Sequence, residues 1–287
     1  MQKRSRKDRV ENDSRIKRSF FVKKNGGMRF EWLERFHYWW LGGRSITRSI
    51  FRIVAAWQGV CIITGLLIVC YIMASFYTQA GEFVIRVDHP GEKRLVLSDT
   101  PDFPEELITL TGTAVEEADN ISIYDINSQV AEIDGDHNGD DYVAYTFYVK
   151  NVGFDPITYT YSLSIRRSTK GMEEAIWVLF YNNGEQEVLA AESKAGGPES
   201  QQSEYEFPFR EAAADAQQYT YDEDTGIYTL TTHPFEDAKV VTSGEREAIQ
   251  PQEIDKFTVV IWLEGEDPEC VNDILGGSIE MMMKFRY

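Results

Sequence analysis

Two hydrophobic periodicities divide this chain. From Ile53 to Tyr77 it reads IVAAWQGVCIITGLLIVCYIMASFY, 25 positions without a formal charge. At about 1.5 Å per residue such a helix covers roughly 37 Å, against about 30 Å of bilayer hydrocarbon. The run predicts one transmembrane α-helix over 53–77. Beyond Gly81 the period drops to two. Val143, Tyr145, Phe147 and Val149 share one face of a strand, as do Ile157, Tyr159, Tyr161, Leu163 and Ile165. Phe257, Val259, Ile261 and Leu263 form a third such face, and Ile279, Met281, Met283 and Phe285 a fourth. Alternation of this kind marks strands with one face buried and one wet. AIWVLFYNNGEQEVLAAE predicts a hairpin turning at Asn182-Asn183-Gly184, residues that tolerate positive φ. Further strands are predicted at 83–88, 107–111, 227–232 and 238–242, about nine in all, with one short helix from Arg210 to Gln218. Residues 192–206 read as a surface loop of low hydrophobicity. The expected fold class is an all-β antiparallel sandwich, jelly-roll-like, over residues 81–287, preceded by one transmembrane helix.

Charge orients this arrangement. The chain holds 29 Lys/Arg and 47 Asp/Glu; residues 1–52 take 15 of the former and 5 of the latter, leaving 14 and 42 for the rest. A leader of net +10 therefore precedes the apolar run and a body of net −28 contains and follows it. Lys and Arg beside a span stay cytoplasmic. The expected location is the cell membrane, single-pass, with the N-terminus inside and the C-terminal domain outside. Thr78-Gln79-Ala80 also offers a small-residue cleavage site, so release near Ala80 stays open beside a retained signal-anchor. Gly59 and Gly65 lack the G-x-x-x-G spacing of a helix-dimer face.

Residues 1–27 are basic with few apolar side chains, which predicts a disordered cytoplasmic tail. Residues 28–52 form an aromatic juxtamembrane segment, where Met28, Trp32, Phe36 and Trp39 fall on one helical face before the Gly42-Gly43 hinge. The partner this segment predicts is the bilayer and its anionic headgroups; nucleic acid is the weaker reading of the same charge. The outer domain is expected to meet a protein partner or a second copy through edge strands.

Cysteine supplies no framework. Cys61 and Cys70 fall within the apolar run and Cys270 stands alone beyond it, which suits a Gram-positive exterior. Asn120-Ile121-Ser122 fits the N-glycosylation pattern, of consequence only in a eukaryote.

The best candidate for a cofactor is calcium at DGDHNGD. Asp134, Asp136, Asn138 and Asp140 match positions 1, 3, 5 and 7 of an EF-hand loop, with Gly139 at position 6. Tyr145 stands where that loop carries a bidentate Glu, so a plain polar turn competes with the metal reading. EGEDPEC, Glu264 to Cys270, reads as an acidic loop that either shares a cation, meets a basic partner or is simply solvated. Nothing suggests catalysis. His89, His137 and His233 show no zinc spacing, and there is no G-x-S-x-G elbow and no phosphate loop.

TVVIWLEGEDPECVNDILGGSIEMMMKF and HNGDDYVAYTFYVKNVG together resemble uncharacterised single-span, membrane-anchored surface proteins of Firmicutes. These are distantly similar to the TasA/camelysin group of biofilm-matrix proteins. The resemblance implies a jelly-roll domain, assembly by strand exchange, and the peptidase label that some members carry; no residues here match a peptidase site. The expected function is non-enzymatic: a membrane-anchored surface β-sandwich in adhesion, assembly or ligand binding. The alternatives are a subunit of a membrane secretion or signalling complex and, less favoured, a metal-dependent surface peptidase.

Overall fold

The structure is a computed structural model, and it describes residues 57–71, 83–88 and 94–287. The chain divides into two compact units, Met1–Ser75 and Phe76–Tyr287. In the first, residues 57–71 are α-helical with exposed side chains, and Thr64 donates its hydroxyl to the Val60 carbonyl at 2.8 Å. Among the described residues no helix is long and apolar enough to cross a membrane. The flanks of the predicted span, 53–56 and 72–77, lie outside the described residues, as do the predicted tail 1–27, the aromatic segment 28–52 and His89.

The second unit is all β. Its fifteen strands are β1 (Phe83–Asp88), β2 (Leu95–Ser98), β3 (Thr109–Thr111), β4 (Gly135–Asp136), β5 (Tyr142–Asn151), β6 (Ile157–Ser168), β7 (Ile176–Asn182), β8 (Glu185–Ala190), β9 (Ser200–Ser203), β10 (Tyr219–Asp222), β11 (Ile227–Thr231), β12 (His233–Pro234), β13 (Val240–Ile249), β14 (Ile254–Leu263) and β15 (Ile279–Arg286). They form three sheets. The first runs β13-β6-β15-β1-β3; the second runs β12-β8-β7-β14-β5-β2, with β4 also on β5; the third is β10-β11-β9.

The four alternating faces read from the sequence meet in one core between the first two sheets. Phe147 and Phe257 of the second sheet pack on Phe285 of the first at ring-centroid distances of 5.9 and 5.4 Å. Burying a side chain of this size stabilises by about 1.5–3 kcal/mol. The hairpin forms as expected. Asn182 pairs with Glu185, and the two residues between them, Asn183 and Gly184, have φ of 52° and 93°, the positive pair that a tight type I′ turn demands.

Three expectations are corrected. The second sheet is buried on both faces, not one. Val260 and Trp262 of β14, Ala144 of β5 and Leu179 of β7 point into a second core, covered by the third sheet and by the loop carrying Ile123 and Val130. The apolar residues at alternate positions of these strands are what a covered face requires. Not all pairs are antiparallel either: β1 runs parallel to β15, and β12 parallel to β8. Lastly, the predicted helix 210–218 is two separate 3-10 turns, Arg210–Ala212 and Ala216–Gln218. The break has a cause. Ala213 bridges to Gln186, Ala214 N donates to the Gln186 carbonyl at 2.9 Å, and the Asp215 side chain caps the second turn by accepting from Gln217 N.

Candidate functional site

The calcium candidate lies on a hairpin. β4 pairs with Thr146 and Tyr145 of β5, His137 N reaches the Ala144 carbonyl, and Gly139 N reaches the Tyr142 carbonyl. Asp134 Oδ1 accepts from the Tyr148 hydroxyl at 2.5 Å, and Asp136 Oδ2 from Thr113 N at 2.7 Å. Asn138 Oδ1 accepts from Ala144 N while its Nδ2 donates to the Thr113 carbonyl, both at 2.8 Å. Asp140 is exposed at the tip. These oxygens are strung along a strand pair and serve its hydrogen bonds. Each of Asp134, Asp136 and Asn138 meets a different donor, whereas an EF-hand loop turns its oxygens to one cation.

Oxygen donors do converge at the other acidic segment, where β14 ends. The chain turns sharply after Leu263: Asp267 N donates to the Glu264 carbonyl and Cys270 N to the Asp267 carbonyl. This turn folds Glu264, Asp267 and Glu269 inward, 0%, 4% and 9% exposed. Of the readings open to this loop, simple solvation fits only part of it: Gly265, Glu266 and Pro268 are exposed, while its other three acids are buried. Two tryptophans from the outer face of the second sheet hold it. Trp262 and Trp177, with ring centroids 6.2 Å apart, donate their indole N–H groups to Glu264 Oε2 at 3.0 Å and Asp267 Oδ2 at 2.7 Å. Glu264 also accepts from Ile123 N and Glu266 N, so its oxygens are well satisfied.

Asp267 and Glu269 are joined by a residue that sequence reading assigned to a surface loop. Glu199, 6% exposed, stands at the entry to β9, and its carbonyl accepts from Thr232 N at 2.9 Å. One oxygen from each of Glu199, Asp267 and Glu269 lies within 4.8 Å of the other two. Asp267 Oδ1 accepts from Glu269 N, and Glu269 Oε1 from Lys194 N at 3.1 Å. Glu269 Oε2 is buried without a hydrogen-bond partner, and so is Gln201 Oε1, two residues along β9 on the face that Glu199 shares. Among the described residues none of the three carboxylates has an ion-pair partner; Lys194, the nearby cation, is paired with Glu174. Burial pushes the Asp267 carboxyl up to about 6, and burial, with Glu269 adding to it, raises Glu199. Such a donor set, all carboxylate oxygen with no imidazole, suits a hard cation and not zinc.

Beside this cluster a cleft of about 860 Å³ opens at the same end of the sandwich. Ile176, Ile261 and Leu263 form its floor, Glu116, Glu117, Asp119 and Asp141 stand on its rim, and Cys270 and Val271 line one wall. A second cavity, about 830 Å³, mixes Glu206 and Glu211 with Arg210 and Lys256 and so lacks a single sign of charge. Burial, then the charges of Asp267 and Glu264, raise the Cys270 thiol, which keeps it protonated and unreactive. The described histidines lie elsewhere and apart. His137 Nδ1 contacts the Gly135 carbonyl, while His233 sits between Glu187 and Asp215 at 3.0 and 3.4 Å.

Sequence reading reached Asp267 and Glu269 as part of an acidic loop and missed Glu199. The sequence held no signal for Glu199: ESQQS is polar throughout, yet the fold buries Glu199 and Gln201 and exposes Ser200 and Gln202. Comparisons with protein-family models, with curated proteins and with solved structures each return no match for this chain.

Proposed function

We propose that the chain is a non-enzymatic, membrane-anchored β-sandwich of the cell surface that works by binding a ligand, in adhesion or assembly. The cleft at the end of the sandwich carries this reading, because it sets an acidic rim over an apolar floor. A ligand fitting both presents an apolar side chain next to positive charge, as a basic peptide does. The acidic body, net −28, would draw such a ligand in. The uncharged run 53–77 behind its cationic leader supports anchoring with the N-terminus in the cytoplasm. The strand orders β13-β6-β15-β1 and β8-β7-β14-β5 support the jelly-roll reading, since they set strands of two interleaved Greek keys side by side.

Strand exchange is the weaker mode. The long edge strand β13 carries Glu245, Arg246 and Glu247 and two register shifts against β6, features that oppose edge-to-edge pairing. The test is a titration of the purified full-length protein in detergent with a peptide alternating Lys and Phe, followed by tryptophan fluorescence, since Trp262 lines the cleft. Saturable binding that weakens with salt and is lost in the Glu116→Lys/Glu117→Lys variant is expected. Binding indifferent to that variant, or none at all, refutes the cleft as the site. Protease treatment of intact cells should remove the C-terminal unit; its survival over a sealed bilayer would overturn the anchored topology.

A further inference from the structure

We propose that Glu199, Asp267 and Glu269 bind one hard divalent cation of the calcium class, which clamps the entry of β9 to the loop after β14. The geometry fits. Two oxygens bound to a common calcium at about 2.4 Å stand at most about 4.8 Å apart, and the three carboxylates offer oxygens within 4.8 Å of one another. The chemistry fits too. Three carboxylates more than nine-tenths buried have no ion-pair partner among the described residues, and the usual resolution for buried charge is pairing or metal coordination. A separate observation points to a ligand: Glu269 Oε2, inside this cluster, is a fully covered acceptor with no donor. Gln201 Oε1, equally covered and unpartnered on the Glu199 face of the strand, stands as a candidate for a further oxygen.

The sharing of protons among the three carboxyls is the competing account. A proton shared in this way would also partner Glu269 Oε2, so saturable Ca²⁺ binding is what separates the two accounts. The consequence for the cleft is direct. Glu269 precedes Cys270 and Val271, which line one wall, so a cation at the cluster fixes that wall on one side. The inference stands without the peptide reading, because cation binding is measured with no peptide present.

The experiment uses full-length protein in detergent, stripped with EGTA and titrated with Tb³⁺ and then with Ca²⁺. Trp177 donates a hydrogen bond to Asp267, so tryptophan-sensitised terbium luminescence reports occupancy of this cluster. One site per chain is expected, with Ca²⁺ displacing Tb³⁺ at a Kd on the order of 10⁻⁴–10⁻³ M, the range of extracellular calcium modules. Glu199→Gln and Glu269→Gln should each weaken binding about tenfold or more, whereas Asp136→Asn, in the β4–β5 hairpin, should not change it. Equal loss in Asp136→Asn alone would move the site to the hairpin and overturn the proposal. So would the absence of saturable Ca²⁺ binding in the wild-type protein, a result that needs no variant to fold.

Discussion

The two ends of the sandwich treat buried carboxylate in opposite ways. At the end where β7 turns into β8, Asp255 is 2% exposed and accepts from Tyr159 Oη at 2.6 Å, Asn183 Nδ2 at 2.8 Å and Arg246 Nε at 3.3 Å. Its charge is answered within the chain. At the other end Glu199, Asp267 and Glu269 are buried nearly as deeply; Asp267 and Glu269 receive hydrogen bonds from backbone and indole, and among the described residues none of the three forms an ion pair, the nearby Lys194 being paired with Glu174. An answered charge holds two strands and a turn together. An unanswered one is a place where something from solution is wanted.

Breaking the first end should cost most. Asp255→Ala strands a tyrosine hydroxyl, an amide and a guanidinium at once; because Arg246 is partly exposed, the loss should sit near the lower end of the usual range for a broken buried pair, about 3 kcal/mol by denaturant unfolding. Next comes Glu264→Ala, which removes the acceptor for Trp262 and for Ile123 N at the second end. The expected loss is about 1–3 kcal/mol, together with a changed tryptophan emission. Asp267→Asn tests the contrast itself. In EGTA it should cost near the lower end of about 1–3 kcal/mol, because the amide keeps one of the two oxygens that Trp177 and Glu269 N use; a loss as large as that of Asp255→Ala would erase the distinction between the ends.

The smallest effect concerns a partly exposed pair on the first sheet, in the row of Thr160. The hydrogen bond from Lys284 lowers the Asp88 carboxyl; burial opposes it, and the charges of Lys284, Arg86 and Arg286 add to the lowering. A folded value below the unfolded one means a contribution present above the unfolded pKa of about 3.8 and lost as pH falls below it, through the folded value. Exposed pairs of this kind contribute about 0–1 kcal/mol. Asp88→Asn should therefore lower stability slightly at pH 7 and flatten the slope of stability with pH below 4.

The fold was largely legible where strands alternate. β5, β6, β14 and β15 and the Asn183-Gly184 turn all announce themselves, because the residue period of a pleated strand is short enough to read locally. The covered outer face of the second sheet was harder. Val260, Trp262 and Leu179 hint at it, yet what covers them includes β9 and β10, short polar strands whose pairing is decided by β11 and not by their own composition. The same reason hid Glu199. A carboxylate in a polar stretch reads as wet until a distant loop closes over it, and a single sequence carries no mark of that closure. The hairpin at Asp134–Asp140 is the converse case: its spacing imitates a ligand loop, but the same alternation builds a strand pair, and there the Tyr148 hydroxyl, Thr113 N and Ala144 N meet the oxygens of Asp134, Asp136 and Asn138.

The parallel pairing of β1 with β15 carries a consequence for synthesis. Among the described strands the first, β1, lies between β3, three residues long, and β15. A ribosome must release Ile279–Arg286 before Phe83–Asp88 acquires its main neighbour, so the first sheet is joined by a contact of long sequence separation, the kind that forms slowly. Loss of the eight residues of β15 would leave β1 with an open flank.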